Sequence, residues 1–302
     1  MAGKIRFAPS PTGYLHEGHL LSALYVWAAA KKWNLHVHLR IEDHDRGRTR
    51  QAYIDGIRED LEWLGFEYDS YSIQSERTEI YQGVLNKLAE QNYVYPCTCS
   101  RKQLEAENPK SETGEIIYQG KCRILADSLK LKEEGGSGSI LPPHNLRFKI
   151  VDKVINWTDY RLGDFSENPA KQCGDFPIQD REGCWTYQFA VCVDDLDQEI
   201  THIIRGEDIR NSTARQIALS ETICQVSGRP YNRPLYLHHA LIVDASGKKL
   251  SKRELAHSIR QDKEAGISAE TLLGRVVFKA GFQNEDSPIA LHDAIDKIAT
   301  SL

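Results

Sequence analysis

Long hydrophobic runs are missing from this sequence, and so is an apolar segment at the N-terminus. A helix that crosses a bilayer needs roughly 18 apolar residues, and a secretory signal needs an apolar core, so the sequence predicts neither. We therefore expect a cytoplasmic protein with no membrane partner. An excess of positive charge is also absent, because the formal net charge is −5. Any contact with nucleic acid must then come from a local basic patch and weaken as the salt concentration rises.

A disulfide framework is not expected either. The chain has seven cysteines in 302 residues, and this odd number favours reduced thiols or metal ligands over disulfides. With 40% hydrophobic and 27% charged residues, the chain can bury a sizeable core in two or three packed units. The composition therefore indicates a soluble globular enzyme rather than a disordered or disulfide-stabilised protein.

Apolar periodicity near the N-terminus predicts alternating strands and helices. Residues 4–8 and 35–41 form short strand-like runs, and 18–33 is rich in Leu and Ala with no Pro or Gly inside it. Residues 51–64 place their apolar side chains on one helical face. Such a βαβ unit predicts an α/β fold with a doubly wound parallel sheet, whose ligands lie beyond the carboxyl ends of the strands.

Two histidines mark the start of the first predicted helix. Pro9, Pro11 and Gly13 force a turn after the first strand, and His16 and His19 follow it. Helix N-termini favour phosphate, and imidazoles three residues apart share a helical face, where they can donate hydrogen bonds to charge developing on phosphorus. The alternative is that both are surface polar residues that open a helix.

A cationic segment near the other end supplies a matching motif. Residues 247–253 read GKKLSKR and follow an apolar strand-like run at 235–243. A loop that carries Ser251, Lys249 and Lys252 can close over a triphosphate and hold the leaving pyrophosphate. Alone, the segment would be interpreted as a solvated basic turn. Its place after a strand, in the same chain as the two histidines, favours the catalytic interpretation.

Taken in order, these motifs resemble the signatures of class I aminoacyl-tRNA synthetases of the glutamyl branch. The match consists of the HIGH region at 9–19, the KMSKS loop at 249–253, and further segments at 6–18, 39–43, 95–99, 175–178, 187–195 and 204–208. The resemblance implies a Rossmann-type domain with an inserted zinc-containing subdomain and a short C-terminal helical region. It implies ATP with Mg²⁺ as the substrate complex, His16, His19 and Lys252 as catalytic residues, and Gly18, Lys249 and Ser251 as further ATP contacts.

The four residues 16–19, HEGH, form the tetrad of the HIGH region, and this tetrad has one departure from the family pattern. Glu17 places a carboxylate where the family usually has an uncharged residue. Because a carboxylate facing the triphosphate would repel it, we expect Glu17 to point toward solvent.

The resemblance and the composition shifts together predict four segments. They are the first half of the catalytic domain at 1–95, an inserted acceptor and zinc subdomain at 96–184, the second half of the catalytic domain at 185–245, and the KMSKS-like loop with C-terminal helices at 246–302. Alternating apolar residues resume at 185–193, and 267–270 is typical of a helix start.

The segment after the KMSKS-like loop separates the members of the branch. Full glutamyl and glutaminyl enzymes continue with a large anticodon-binding region, whereas only 254–302 follow here. We therefore expect a stand-alone paralogue, a monomer resembling the glutamyl-Q tRNA(Asp) synthetases, which activate L-glutamate and attach it to queuosine in the anticodon loop of tRNA(Asp). One alternative is a free-standing or truncated glutamyl enzyme that charges the 3′ end of tRNA(Glu) or tRNA(Gln). Another is a non-catalytic tRNA-binding or regulatory module.

A possible metal site lies in the predicted insertion. Cys97 and Cys99 precede Tyr118 and Cys122, a spacing that suits a small zinc knuckle with three thiolates and one oxygen. The alternative is that the C-x-C pair is two buried thiols without metal. The family has the same arrangement, so the resemblance implies structural Zn²⁺ at these four residues.

The substrate can be argued from its charges. Glutamate carries two carboxylates and one ammonium, so a selective pocket should offer two cationic clusters and one acidic group. The resemblance assigns Arg6 and Arg205 to the carboxylates, Ser10 and Tyr187 as hydroxyl donors, and Glu42 to the ammonium. Two cationic residues also suit an anionic side chain better than that of glutamine.

Each of these charged residues also has a structural alternative. Arg205 could pair with Glu207 and brace a turn, and Glu42 could serve Arg40 or Arg46. Sequence alone does not separate an ion pair within the protein from one with a ligand.

Overall fold

The computed structural model describes residues 3–44, 47–130, 144–242 and 257–302, with backbone only for 126–130. The strands are β1 Lys4–Phe7, β2 His36–Ile41, β3 Ser70–Ile73, β4 Val94–Cys97, β5 Asn145–Phe148, β6 Ile155–Asp159, β7 Gly163–Glu167, β8 Phe176–Gln179, β9 His202–Gly206 and β10 Leu235–His239. The helices are α1 Glu17–Trp33, α2 Gln51–Leu64, α3 Thr78–Glu90, α4 Arg101–Glu107, α5 Lys121–Lys130, α6 Pro169–Gln172, α7 Tyr187–Asp197, α8 Thr213–Val226, α9 Ile259–Glu264, α10 Ala269–Lys279 and α11 Leu291–Ser301.

A seven-stranded sheet forms the centre of the fold, in the order β3-β2-β1-β9-β10-β6-β7. Neighbouring strands are parallel from β3 through β6, and β7 is antiparallel to β6. Helices connect the parallel strands, and the order reverses between β1 and β9. The predicted α/β fold with a doubly wound parallel sheet is therefore confirmed. Ligands of such sheets bind where the order reverses, beyond the carboxyl ends of the strands.

Helix α1 is buried on most of its surface. Ten of its residues, from Leu20 to Ala30, are buried, because α10 and α11 cover the side that does not face the sheet. Asn34 ends the helix in the left-handed region at φ 51°, a conformation that Asn tolerates better than most residues. A helix packed on all sides gives its N-terminus a fixed position next to β1.

The predicted strands and helices near the N-terminus, and the predicted helix start at 267–270, are confirmed with small shifts at their ends. The second helix spans 51–64 as predicted, and α10 begins at Ala269 after the predicted start, with the Ser268 hydroxyl accepting from the backbone N–H of Thr271. The alternating apolar residues at 185–193 do not form a strand, the element that alternation usually indicates. They belong mainly to helix α7, which is buried against both α3 and α8, so its apolar residues do not follow one stripe.

A second, antiparallel sheet, β4-β5-β8, begins at the end of the predicted first half, with β4, and continues in the predicted insertion, where the chain also forms the hairpin of β6 and β7. This hairpin extends the main sheet by pairing β6 with β10. Residues 96–184 thus contribute to both sheets, and the predicted domain boundaries stay a prediction. No helix in the described part of the chain has the length and apolar character of a membrane span.

The expectation for Glu17 is wrong. Its side chain is 12% exposed and binds Lys279 at 2.6 Å and Arg275 at 3.6 Å, both on α10. The carboxylate thus points away from the histidines, as electrostatics requires, but into an ion cluster rather than into water. Two cations on a helix that packs against α1 hold it there, and no local sequence pattern indicates them.

Candidate active site

A cleft of about 1170 Å³ opens at the carboxyl ends of β1, β2 and β9. Every predicted amino-acid and ATP contact in the described part of the chain lines this one cleft: Arg6, Ser10, His16, Gly18, His19, Glu42, Tyr187 and Arg205. Residues separated by up to two hundred positions meet here because parallel strands end at the same edge of the sheet. Their individual roles stay predictions.

The two histidines cap the helix that they open. His16 is the N-cap residue, and its Nδ1 accepts a hydrogen bond from the backbone N–H of Gly18 at 3.1 Å. Nδ1 of His19 accepts from the backbone N–H of His16 at 3.2 Å. Since each Nδ1 is an acceptor, each neutral ring carries its proton on Nε2. The rings lie 3.8 Å apart between centroids, so two Nε2–H donors stand beside the positive end of the helix dipole.

Gly18 leaves room for the His16 ring. A Cβ at residue 18 would lie 3.0 Å from Cε1 and 3.2 Å from Nδ1 of His16. A side chain there would therefore make the imidazole shift by a few tenths of an ångström. The glycine of the tetrad thus keeps the capping geometry of the first histidine.

On one side of the cleft, Arg6 belongs to a buried ion-pair network. Asp195 binds Arg6 at 3.0 Å and Arg40 at 2.8 Å, and Arg40 also reaches Glu42 at 3.3 Å. Arg40 is completely buried, and the side chain of Arg6 is 4% exposed. In the described part of the chain, the network joins the guanidinium groups of Arg6, Arg40 and Arg77 to the carboxylates of Glu42, Asp194, Asp195 and Asp197. Among these residues it holds one more carboxylate than guanidinium.

Glu42 is the carboxylate of this network whose charged form is disfavoured by its surroundings. Burial raises the pKa of Glu42, and the charge of Arg40 offsets this only in part. The proposed structural alternative, a pair with Arg40, is therefore present but does not fully stabilise the ionised carboxylate. An additional cation would do so.

On the neighbouring strand β9, Arg205 has only neutral partners among the described residues. Its guanidinium donates to His238 Nε2 at 3.0 Å, Gln216 Oε1 at 2.7 Å and Thr213 Oγ1 at 2.8 Å, and reaches the Tyr187 hydroxyl at 3.5 Å. No carboxylate of the described residues lies within 4.0 Å of it. The suggested pair with Glu207 is absent there, because Glu207 binds Arg161 at 2.5 Å instead. Arg205 is 5% exposed, so its charge is buried without a direct counter-ion.

Sequence reasoning missed the residues that hold the two arginines. Asp195, His238 and Asp159 have no assigned role in the motifs, although Asp195 closes a matched segment. The only signal was their position near strand ends or matched segments, since the contacts join residues up to 189 positions apart.

The predicted loop residues Lys249, Ser251 and Lys252 lie outside the described residues. The chain is described again from residue 257, and the backbone N–H of Ile259 donates to the Leu15 carbonyl at 2.8 Å. Side chains of α9, among them Arg260, line the cleft. The segment after the loop is therefore fixed beside the histidine turn.

The predicted metal residues come together in a separate small cluster. Cys97, Cys99 and Cys122 are buried, and their sulfur atoms all lie within 4.8 Å of one another. Sγ of Cys99 is 3.5 Å from that of Cys122, and the Tyr118 hydroxyl lies 3.6 Å from Cys97 and 3.8 Å from Cys99. A tetrahedron with Zn–S bonds of about 2.3 Å has edges of about 3.8 Å, so the four atoms fit a zinc ion.

One thiol of the cluster, Cys122, also has a pKa that favours metal binding. Burial raises the pKa of Cys122, but hydrogen bonds from Tyr118 and the Thr98 backbone outweigh it and bring the pKa to about 7. Burial raises the pKa of Tyr118. Cys122 is thus the thiol that ionises readily, whereas burial raises the pKa of Cys99 to about 11. Cys99 and the Tyr118 phenol would lose their protons only to the metal.

Comparison with known proteins places these features in one family. A family model described as "tRNA synthetases class I (E and Q), catalytic domain" matches residues 4–299. A glutamyl-Q tRNA(Asp) synthetase of Nitratidesulfovibrio vulgaris is 34% identical over 98% of this chain and 92% of its own length. A glutamate–tRNA ligase of Aquifex aeolicus is 39% identical over 89% of this chain, which spans only 55% of that relative.

The fold is also similar to that of a solved structure. A glutamate tRNA ligase of Elizabethkingia meningosepticum, solved in complex with its amino acid, superposes with a TM-score of 0.74 at 28% identity. The match covers 98% of this chain and 64% of that protein.

Proposed function

The chain belongs to the class I tRNA synthetases of the glutamate and glutamine branch, and from this we infer that it activates L-glutamate with ATP and transfers it to queuosine of tRNA(Asp). The observation that carries the glutamate part is the charge distribution of the cleft. Among the described residues, the network around Arg6 has an excess carboxylate, with Glu42 lining the cleft, and Arg205 has no direct counter-ion. A ligand with an ammonium and a distal carboxylate matches both.

Arg6 completes the amino-acid pocket in this proposal. Its guanidinium already has Asp195 as a partner, so it offers donors to a second carboxylate without adding an uncompensated charge. Ser10 and Tyr187 line the same cleft and add hydroxyl groups. Two guanidinium groups, one carboxylate and two hydroxyls are the set that a free dicarboxylic amino acid requires.

Activation then needs position and electrostatics rather than a protein nucleophile. The α-carboxylate of glutamate attacks the α-phosphorus of ATP in line, the bond to the bridging oxygen breaks, and pyrophosphate leaves with that electron pair. The Nε2–H groups of His16 and His19 donate to the phosphate oxygens, with Gly18 giving them room. Mg²⁺ accompanies the triphosphate as part of the substrate. The product is glutamyl-adenylate, whose acyl group passes to an RNA hydroxyl.

Lys249, Ser251 and Lys252 complete the proposal at the phosphates. Lys252→Ala should reduce glutamate-dependent ATP–pyrophosphate exchange by at least about a hundredfold, because one cation on a developing charge contributes 10²–10³ in comparable sites. The unfolding temperature should not change. An unchanged exchange rate would remove this lysine from the mechanism.

Cys97, Cys99, Cys122 and Tyr118 would hold zinc, which when bound cross-links the start of α4, the start of α5 and the end of β4. We expect about one zinc ion per chain by metal analysis. Cys99→Ser should lose the ion and lower the unfolding temperature, while amino-acid activation in the distant cleft persists. Cys184→Ser, outside the cluster, is the control. Full metal retention in Cys99→Ser would contradict the ligand assignment.

The queuosine acceptor is supported by the name of a relative that this chain matches almost from end to end. Its test uses labelled glutamate and two preparations of tRNA(Asp), one with queuosine and one with guanosine at that position. We expect labelling of the first only, and the label should stay in the anticodon loop after nuclease digestion. Labelling of the 3′ end of tRNA(Glu) or tRNA(Gln) would instead establish the alternative acceptor. An absence of glutamate-dependent exchange without tRNA would remove the activation step itself.

A further inference from the structure

We propose that His238 and Asp159 form a relay that positions Arg205 for a carboxylate of the amino acid. His238 is then a further positioning residue of the reaction, and the inference rests on the proposed function of the cleft. Neither residue lines the cleft. Both act through Arg205, which does.

The relay follows from the register of three neighbouring strands. Arg205 on β9 lies directly opposite His238 on β10. Strand β6 flanks β10 on its other side, with Asp159 opposite Tyr236. The three side chains therefore form a row across the carboxyl ends of β9, β10 and β6. This row begins at the cleft and ends in the interior.

The hydrogen bonds fix one tautomer of His238. Arg205 Nε lies 3.0 Å from His238 Nε2, and a guanidinium has donors only. His238 Nε2 must therefore be the unprotonated nitrogen. The proton is on Nδ1, which lies 2.6 Å from Asp159 Oδ2. The ring accepts from the arginine and donates to the aspartate, so a neutral imidazole joins the two charges.

Asp159 is itself held rigidly. Its Oδ1 accepts from the backbone N–H groups of Arg161 at 3.0 Å and Leu162 at 2.9 Å, and its Oδ2 accepts from that of His238 at 3.0 Å. The side chains of His238 and Asp159 are 0% exposed. An aspartate fixed by three backbone donors orients the ring, and the ring orients the guanidinium.

The indirect contact has a consequence for binding. A carboxylate in direct contact, such as Asp195 beside Arg6, takes an Nε–H and one further N–H of its arginine. The imidazole lets Asp159 stabilise the charge of Arg205 from a distance and uses only its Nε–H. The arginine is thus tolerated in the interior while it still lacks a direct counter-ion, which a ligand carboxylate supplies.

Protonation of His238 would break the relay, because a protonated ring has no acceptor. The ionisable groups that face the ring are Asp159 on β6, Arg205 on β9, and Arg210 and Arg161 on the adjoining turns. Burial lowers the pKa of His238, the hydrogen bond to Asp159 raises it, and the charge of Arg205 lowers it, with a net decrease. The relay is therefore intact at neutral and alkaline pH and is lost only in acid.

The test compares two substitutions of His238 in the full-length protein. His238→Met keeps the volume but neither accepts nor donates as imidazole does, whereas His238→Gln can accept from Arg205 and donate to Asp159. We expect the Met variant to raise the KM for glutamate in ATP–pyrophosphate exchange by about tenfold or more, since a hydrogen bond to a charged group has about that effect on binding. The KM for ATP should stay within about twofold. The Gln variant should recover most of the loss, and His202→Gln, at the other end of β9, should change neither constant.

Two results would overturn the relay. One is an unchanged KM for glutamate in a folded Met variant. The other is an equal rise of both Michaelis constants, which would indicate general loosening of the fold. If the wild-type protein shows no glutamate-dependent exchange, the proposed function fails, and nitrogen NMR of labelled histidines still decides the relay. The His238 signal, assigned by its loss in the Met variant, should report a proton on Nδ1 at neutral pH. A proton on Nε2 would exclude the hydrogen bond from Arg205.

Discussion

Two buried arginines lie on the neighbouring strands β1 and β9 at the same cleft, and their surroundings differ in charge. Arg6 contacts Asp195 directly and belongs to a network in which carboxylates outnumber guanidinium groups. Arg205 contacts only neutral groups, and its nearest described carboxylate connection runs through His238 to Asp159. We call the surroundings of Arg6 the first side and those of Arg205 the second side: among the described residues, negative charge is in excess on the first and positive charge on the second. In the proposed function, a ligand with an ammonium and a carboxylate balances both of these charges.

The largest expected effect comes from removing the shared carboxylate of the first side. Asp195→Asn leaves Arg6 and Arg40 with less compensation, so we expect a loss of about 3–5 kcal/mol in the free energy of unfolding. Burial raises the pKa of Asp195, but Arg6 and Arg40 outweigh it and hold the pKa below its usual range. The ionised carboxylate thus stabilises the fold above the unfolded pKa of about 3.9, and this stabilisation is lost as pH falls through the lower folded pKa.

Urea unfolding between pH 3 and pH 7 measures this effect. The gap between wild type and Asp195→Asn should be widest near neutral pH and narrow in acid. Asp197→Asn is the control, since its side chain is 46% exposed and its loss should cost less than about 1 kcal/mol. Equal costs for the two aspartates would show that the first side is not a cooperative buried network.

Removal of the other arginine should separate binding from stability. We expect Arg205→Gln to raise the KM for glutamate about a hundredfold, the effect of losing a charge-assisted pair with a carboxylate. Its cost in unfolding free energy should be smaller than that of Arg6→Gln, because no direct ion pair is broken. Exchange kinetics and urea unfolding on both variants give the comparison. If Arg205→Gln is the more destabilising of the two, the contrast between the sides does not hold.

Glu42→Gln should have a smaller effect: it should stabilise the fold and weaken the binding of glutamate. Burial raises the folded pKa of Glu42 above its unfolded value, so the stability it contributes is present below about pH 4.3 and lost as pH rises through the folded pKa. The neutral Gln avoids this loss, and the variant should be more stable than wild type by about 1 kcal/mol at pH 8. The KM for glutamate should rise, because the ammonium loses its carboxylate.

Unfolding at pH 5 and pH 8 checks the sign of that effect. The advantage of Glu42→Gln should grow with pH, whereas the exposed Glu79→Gln should show no such trend. An advantage that shrinks toward pH 8 would mean that the network already stabilises the ionised form without a ligand.

The smallest effect is expected where a carboxylate lies close to the cleft but outside it. Glu17→Gln weakens the contacts with Lys279 and Arg275 and should cost about 1 kcal/mol of unfolding free energy. The KM for ATP should not change, because Glu17 does not line the cleft. A lower KM for ATP in this variant would show that the carboxylate repels the triphosphate after all.

Much of the fold was predictable because its signals are local. Helix α2 lies at the predicted residues, since its apolar side chains follow one face and Gly65 ends it at φ 83°. The convergence of Arg6, Glu42 and Arg205 was also predictable, because parallel strands bring residues that follow their carboxyl ends to one edge. The cysteine cluster was predictable from spacing alone as a set of thiols, although the identity of a bound ion was not.

The partners of these residues were not predictable in the same way. Asp195 on α7 and His238 on β10 meet their arginines only after helices and strands have packed, and nothing in their own segments distinguishes them from other polar residues. Glu17 was misjudged for the same reason, since its cations are 258 and 262 positions away on α10. Sequence patterns identify which groups face a cleft better than they identify what holds those groups.

The reciprocal caps at the start of α1 have one more consequence. Each imidazole uses its Nδ1 to cap the N-terminus of the helix, so the backbone N–H groups determine that the ring proton is on Nε2. Unwinding the first turn would release both Nδ1 atoms, and the backbone would no longer favour this tautomer. The same two hydrogen bonds thus cap the helix and place the ring protons. A mutation that frays this turn should lower the proposed activity before it lowers the stability of the fold.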